Sequence, residues 1–176
     1  IDGQDIAADL LRRAGDPQWA SKAKVAFGFV QTAGAGLGML AFGPLASRIG
    51  CRGTFAIMHL AAAVLTPVVC WLPSIVGGYP LLLVLLPVFG FFAQGIHAGY
   101  AVYFPALFPT HLRATGSGFC FNTGRILAAP VLIWLSAWMK ATFDLRLAVT
   151  LLGGLFLLGL AVLLVLPETR GQDLPE

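Results

Sequence analysis

The chain has 176 residues, 58% of them hydrophobic and 11% charged, with a formal net charge of +3. Soluble domains carry about 25% charged residues; a water-facing surface cannot be covered with so little charge, so lipid is the expected solvent. The small positive charge comes without a Lys/Arg cluster, which sets nucleic acid aside as a partner. Cys51, Cys70 and Cys120 lack CxxC or Cys/His ligand spacing, so neither metal nor cofactor is expected.

Residues 1–24 are polar and begin at Ile1 rather than Met. They lack the basic end and apolar core of a signal peptide, so the chain reads as part of a longer protein that starts in a solvated loop. A bilayer core of about 30 Å takes about 20 helical residues, and five runs meet that length: about 25–46, 54–72, 79–108, 114–139 and 147–166. The first contains Gly28, Gly34, Gly36 and Gly38. Small residues four apart let membrane helices approach closely, a spacing met by Gly34 with Gly38 and by Gly28 with Thr32. The connection after it carries Arg48, Gly50, Arg52 and Gly53.

The third run holds Pro87, a predicted kink, and reaches Pro105 and Pro109. A tight elbow with His111 and Arg113 follows, and Gly116 and Gly118 open the fourth run. Trp134 and Trp138 mark the interface at its far end. Lys140, Phe143, Asp144 and Arg146 are expected in a short loop before the fifth run, which reads as one helix ending at Pro167. Domain organisation is thus a loop at 1–24, a helical bundle at 25–167 and a polar tail at 168–176.

Arg125 lies about ten residues, roughly 15 Å, beyond the elbow. A charge at that depth should face protein or a water-filled cavity, with Asn122 one turn back on the same face. Two readings stand: contact with a substrate or coupling carboxylate, or a structural role, bonded to helix-end carbonyls or snorkelling towards the headgroups. His97 shares a face of the third run with Gln94; it suits proton coupling or a bond to a neighbouring helix. No span contains Asp or Glu. Counting Lys and Arg does not orient the chain: Arg12, Arg13, Lys22, Lys24, Lys140 and Arg146 lie on one side, against Arg48, Arg52, Arg113 and Arg170 on the other.

Three stretches carry a family resemblance. GPLASRIGCR (Gly43–Arg52) resembles the G-x-L-a-D-r-x-G-R-R loop of major facilitator superfamily transporters. YFPALFPTHLRATG (Tyr103–Gly116) resembles the Y-x-p-E-l-f-P-t-x-l-R-a-t-G signature of that superfamily's sugar and metabolite:proton symporters, and LPETRGQDLPE (Leu166–Glu176) resembles their terminal motif. The resemblance implies an all-α membrane protein whose five transmembrane helices form most of the C-terminal six-helix half, helices eight to twelve. It puts residues 1–24 outside the cell and the three motifs in the cytoplasm. Gly43, Arg48, Gly50, Arg52 and Arg113 would then belong to a cytoplasmic gating loop. Arg125, Asn122, His97, Gln94, Gln31 and Tyr100 would line a substrate or proton pathway.

The implied function is secondary transport of a small polar metabolite, a sugar or organic acid, coupled to protons across the cell (inner) membrane. Its partners would be that substrate, protons, the bilayer and the missing N-terminal half. No Ser/His/Asp or phosphate-cradling pattern points to an enzyme. Ser47 stands where the family has aspartate, Cys51 where it has arginine and Ala106 where it has glutamate. These departures leave a rival reading, a membrane interaction or sensor protein of the same fold that no longer transports.

Overall fold

The computed structural model describes Asp9, Arg12 and residues 26–76 and 78–169. Most of the expected leading loop, and the tail from Arg170 onward, lie outside the described residues. A π-helical turn, Ala26–Gln31, runs into α1 (Thr32–Ile49). It is followed by α2 (Cys51–Ile75), α3 (Gly78–Ala106), α4 (Arg113–Thr142), α5 (Leu145–Gly153) and α6 (Leu155–Leu163). Among the described residues, five stretches are long and apolar enough to cross a membrane: Gly28–Ile49, Cys51–Pro73, Tyr79–Ala106, Arg113–Thr142 and Leu145–Leu163. The expected all-α membrane protein with five spans is the architecture observed.

The closest approach is between α1 and α3, and glycine permits it. A Cβ on Gly34 would collide with the backbone of Pro87, and one on Gly38 with the backbone of Phe91. From the other side, a Cβ on Gly90 would lie 2.5 Å from the Gln31 carbonyl oxygen. With little hydrophobic force between helices in lipid, such backbone contact is what van der Waals packing offers instead. The expected partnership of Gly28 with Thr32 is not formed: Gly28 has nothing within 4 Å and Thr32 is exposed. The wider π turn that contains Gly28 carries it off the stripe facing α3.

The core gathers at the end of the bundle that holds the α1–α2 connection, called here the elbow end. Phe42, Ala46, Cys51, Phe55, Met58, Ile96, Tyr103 and Leu163 are buried together there. Phe55 meets Phe42 at 5.0 Å and Tyr103 at 6.0 Å, both edge to face, the geometry favoured by the ring quadrupole.

Two expectations for the last span need correction. The fifth run is not one uninterrupted helix: it breaks at Gly153–Gly154, where the Gly154 N–H donates to Leu151 O at 3.0 Å in a tightened turn. Adjacent glycines permit such a break, and a Cβ on Gly153 would sit 2.7 Å from Thr66 of α2. Nor is Arg146 a loop residue. It lies in α5 and is buried, with its guanidinium 5.8 Å from the Trp71 ring centre and Nε 3.8 Å from Asp9 Oδ2. An aromatic face and a carboxylate offset part of the cost of burying the guanidinium. Trp71 also donates from Nε1 to Thr150 Oγ1 at 3.1 Å, tying α2 to α5.

By contrast, α4 stands apart. It adjoins α3 and α5, yet Met139 is its only buried residue.

Candidate functional site

At the elbow end the chain reverses between α1 and α2 through Gly50, whose φ of +87° lies in the left-handed region that favours glycine. The first N–H groups of a helix have no partner within it. Here the Glu168 carboxylate, arriving from beyond α6, accepts from Cys51 N at 3.0 Å and Arg52 N at 3.2 Å, as well as from Thr169 N at 3.0 Å. A carboxylate there also meets the positive end of the helix dipole. Gly50 makes room for it, since a Cβ would lie 2.7 Å from Glu168 Oε2. One residue before the carboxylate, the Pro167 carbonyl accepts from the Tyr103 hydroxyl of α3 at 2.8 Å. The segment after α6 therefore fastens the start of α2 to the end of α3.

The loop residues singled out by sequence take different places. Ser47, which stands where the family has aspartate, donates to Pro44 O at 2.8 Å within its own helix, a habit of serine inside helices. The guanidinium groups of Arg48 and Arg52, expected in a gating loop, make no hydrogen bond or ion pair among the described residues. A Cβ on Gly43 would meet nothing within 4 Å. Arg113 starts α4 and braces the elbow, with Nε 3.4 Å from Phe108 O and Nη2 3.4 Å from Thr110 Oγ1. A Cβ on Gly116 would run into the Phe108 ring at 2.6 Å, so that glycine sets how tightly the elbow closes.

Of the residues expected along a pathway, Gln94 and His97 are exposed on α3, and Asn122 and Arg125 are exposed on α4. His97 faces the Tyr100 ring at 6.2 Å. Tyr100 is itself stacked on Phe104, 5.5 Å away and 14° from parallel, and leans on Phe55 at 5.6 Å. Asn122 donates from Nδ2 to Gly118 O at 2.8 Å, and the Arg125 guanidinium lies 5.4 Å from the Phe121 ring centre. No hydrogen bond or ring contact among the described residues joins Gln94 or His97 to Asn122 or Arg125. Gln31 is elsewhere, at the seam with Gly90, where its Oε1 is buried without a hydrogen-bond partner among the described residues.

Glu168 and Tyr103 are the residues that sequence reasoning undervalues. Their signal is present in the terminal Pro-Glu-Thr and in the tyrosine that opens the elbow motif. His59 of α2 is buried, with Nδ1 2.8 Å from Phe55 O and its ring against Gly159.

Five apolar spans fastened at one end by a carboxylate-capped helix define a multi-pass integral membrane protein. Similarity then narrows the class. The chain is 31% identical over 133 residues to the inner membrane metabolite transport protein YhjE of Escherichia coli K12, covering 75% of this chain and 30% of that protein. A Haemophilus influenzae protein named for metabolite transport is 29% identical over 141 residues, 78% of this chain and 33% of its own. One from Cupriavidus pinatubonensis, named a probable 4-methylmuconolactone transporter, is 29% identical over 147 residues, 81% and 33% respectively. The chain is thus a relative of metabolite transport proteins and spans about a third of their length. No family model matches the chain, and no solved structure matches it.

Proposed function

We propose that this chain is part of a secondary transporter that moves a small polar metabolite, a sugar or organic acid, together with protons. In this reading it supplies helices eight to twelve of a major facilitator fold. Substrate binds near mid-membrane, between two halves that rock to expose it to either side in turn. The observation that carries the reading is Arg125. It lies about 18 Å along α4 at 1.5 Å per residue, is exposed, and has only the Phe121 ring beside it among the described residues. A charge inside a span is tolerated where protein or a water-filled cavity receives it, and the transport relatives, of whose length this chain spans about a third, leave room for further helices to enclose that cavity. The almost unburied α4 would then be the surface on which those helices pack. Arg125 offers a fork of donors to a carboxylate, and Asn122, Gln94 and His97 add polar contacts on the facing helices.

The rival reading, a related protein that no longer transports, rests on Ser47, Cys51 and Ala106. Glu168 does bring a carboxylate to the elbow end, bonded to the backbone N–H groups of Cys51 and Arg52, but it belongs to the terminal motif and does not replace the carboxylates that Ser47 and Ala106 lack.

The test uses the full-length protein in vesicles, offered labelled monosaccharides and mono- and dicarboxylates. Uptake of at least one is expected to rise under an inward proton gradient. Arg125→Gln should lower that uptake about tenfold or more, the scale of a lost charge-assisted hydrogen bond, with membrane insertion intact. Undiminished uptake would remove Arg125 from the site. His97→Ala should flatten the pH profile of uptake; an unchanged profile assigns His97 to packing.

A further inference from the structure

On the outer side of the bundle, α2 and α6 leave a groove of about 490 Å³ between them. Its walls are Gly53 and Ala56 of α2, Leu160 and Ala161 of α6, and the following Leu164; at one end stands Arg52. Gly53, Ala56 and Ala161 keep part of that wall low, and a Cβ on Gly53 would meet Ile49 at 3.7 Å, an ordinary contact distance. Its surroundings are apolar and outward-facing, with Leu60 55% exposed, Leu157 55% and Leu164 80%. Arg52 belongs to the first turn of α2, at the elbow end, where the spans leave the hydrocarbon. Its guanidinium has no hydrogen bond or ion pair among the described residues, and the nearby Glu168 carboxylate is turned onto backbone N–H groups instead.

We propose that this groove is a binding site for an anionic phospholipid, with one acyl chain lying between α2 and α6 and the phosphate held by Arg52. Apolar walls capped by one cation at the depth of the headgroups match an amphiphile of that polarity and no soluble metabolite. Arginine suits the role because its planar fork meets two phosphate oxygens at once. Basic pockets between spans are general sites for such headgroups. A lipid seated here bridges the start of α2 and the end of α6, the two ends that Glu168 already ties together. It would therefore add to the hold on the elbow end whatever cargo the protein carries.

Native mass spectrometry of the full-length protein, titrated with phosphatidylglycerol or phosphatidylcholine, tests the assignment. Wild type should retain one phosphatidylglycerol in preference to phosphatidylcholine, and soluble glycerol phosphate should fail to displace it. Arg52→Gln should weaken phosphatidylglycerol about fivefold, the worth of one basic residue near a membrane surface; Arg52→Lys should keep most of the preference. Ala161→Phe, which fills the groove, should weaken both lipids. Arg48→Gln removes an equal charge from the same end of the bundle outside the groove and should leave binding nearly unchanged. Equal retention of the two lipids by wild type would overturn the site. So would an unaltered preference in Arg52→Gln, an equal loss in Arg48→Gln, or displacement by glycerol phosphate.

Discussion

Gly38→Ala is expected to cost the folded protein about 1–3 kcal/mol, the range for overpacking a close contact, and Gly34→Ala a similar amount. A single methyl at either position falls on the backbone of α3, at Phe91 or Pro87, where no flexible side chain can move aside. Relief requires the two helices to separate. That would also disturb the close approach of Gly95 to Gly38 and to Met58 of α2, so tight that a Cβ on Gly95 would fall 3.1 Å from Gly38 O and 2.7 Å from Met58 Sδ. Gly36→Ala is the control. It changes the same residue type in the same helix but points into open space, and alanine is the better helix former. Thermal unfolding of the full-length protein in detergent should therefore show a lowered midpoint for the first two variants and none for the third. Equal behaviour of Gly36→Ala and Gly38→Ala would mean that α1 and α3 do not meet through these glycines.

Much of this architecture is legible in the amino-acid sequence itself. Five runs of about 20 apolar residues leave few alternatives to spans, because a lipid environment requires backbone groups to be satisfied within each segment. Gly34 and Gly38 stand out by spacing alone. The same spacing rule fails for Gly28 and Thr32, because a π turn shifts the helical phase without a mark in the sequence. Arg146 escapes sequence reasoning for a different reason. Its burial depends on Trp71 of another helix and on Asp9 of the leading segment, pairings that no local pattern announces. Glu168 illustrates the same limit: the motif makes it conspicuous, but its role as the cap of α2 joins residues far apart in the chain. For Gln94, His97, Asn122 and Arg125, sequence identifies polar groups in apolar surroundings, and each is exposed on its helix. Their convergence on one ligand belongs to the proposed assembly with further helices.

That cap leads to the second large effect. Cys51 is 7% exposed and its N–H is held by Glu168, so its reaction with a maleimide reports release of the α2 terminus. Glu168→Ala removes the acceptor of two helix-end N–H groups, and losing a cap of this kind costs about 1–2 kcal/mol. If that free energy governs local opening, Cys51 in the full-length protein should be labelled roughly tenfold faster, since about 1.4 kcal/mol is one decade. Glu168→Gln keeps one acceptor oxygen and should produce a smaller rise. Tyr103→Phe, which loses only the bond to Pro167 O, should also give a modest increase. Cys70 supplies the internal reference: it is 1% exposed, lies towards the opposite end of α2, and should keep its wild-type rate in all three variants. Acceleration at Cys51 alone means that the segment after α6 acts as a local fastener, able to release one end of the bundle while the other stays packed. Acceleration at both cysteines would mean that Glu168 supports the whole fold, and an unchanged Cys51 would show that the carboxylate does not hold the helix end in the membrane.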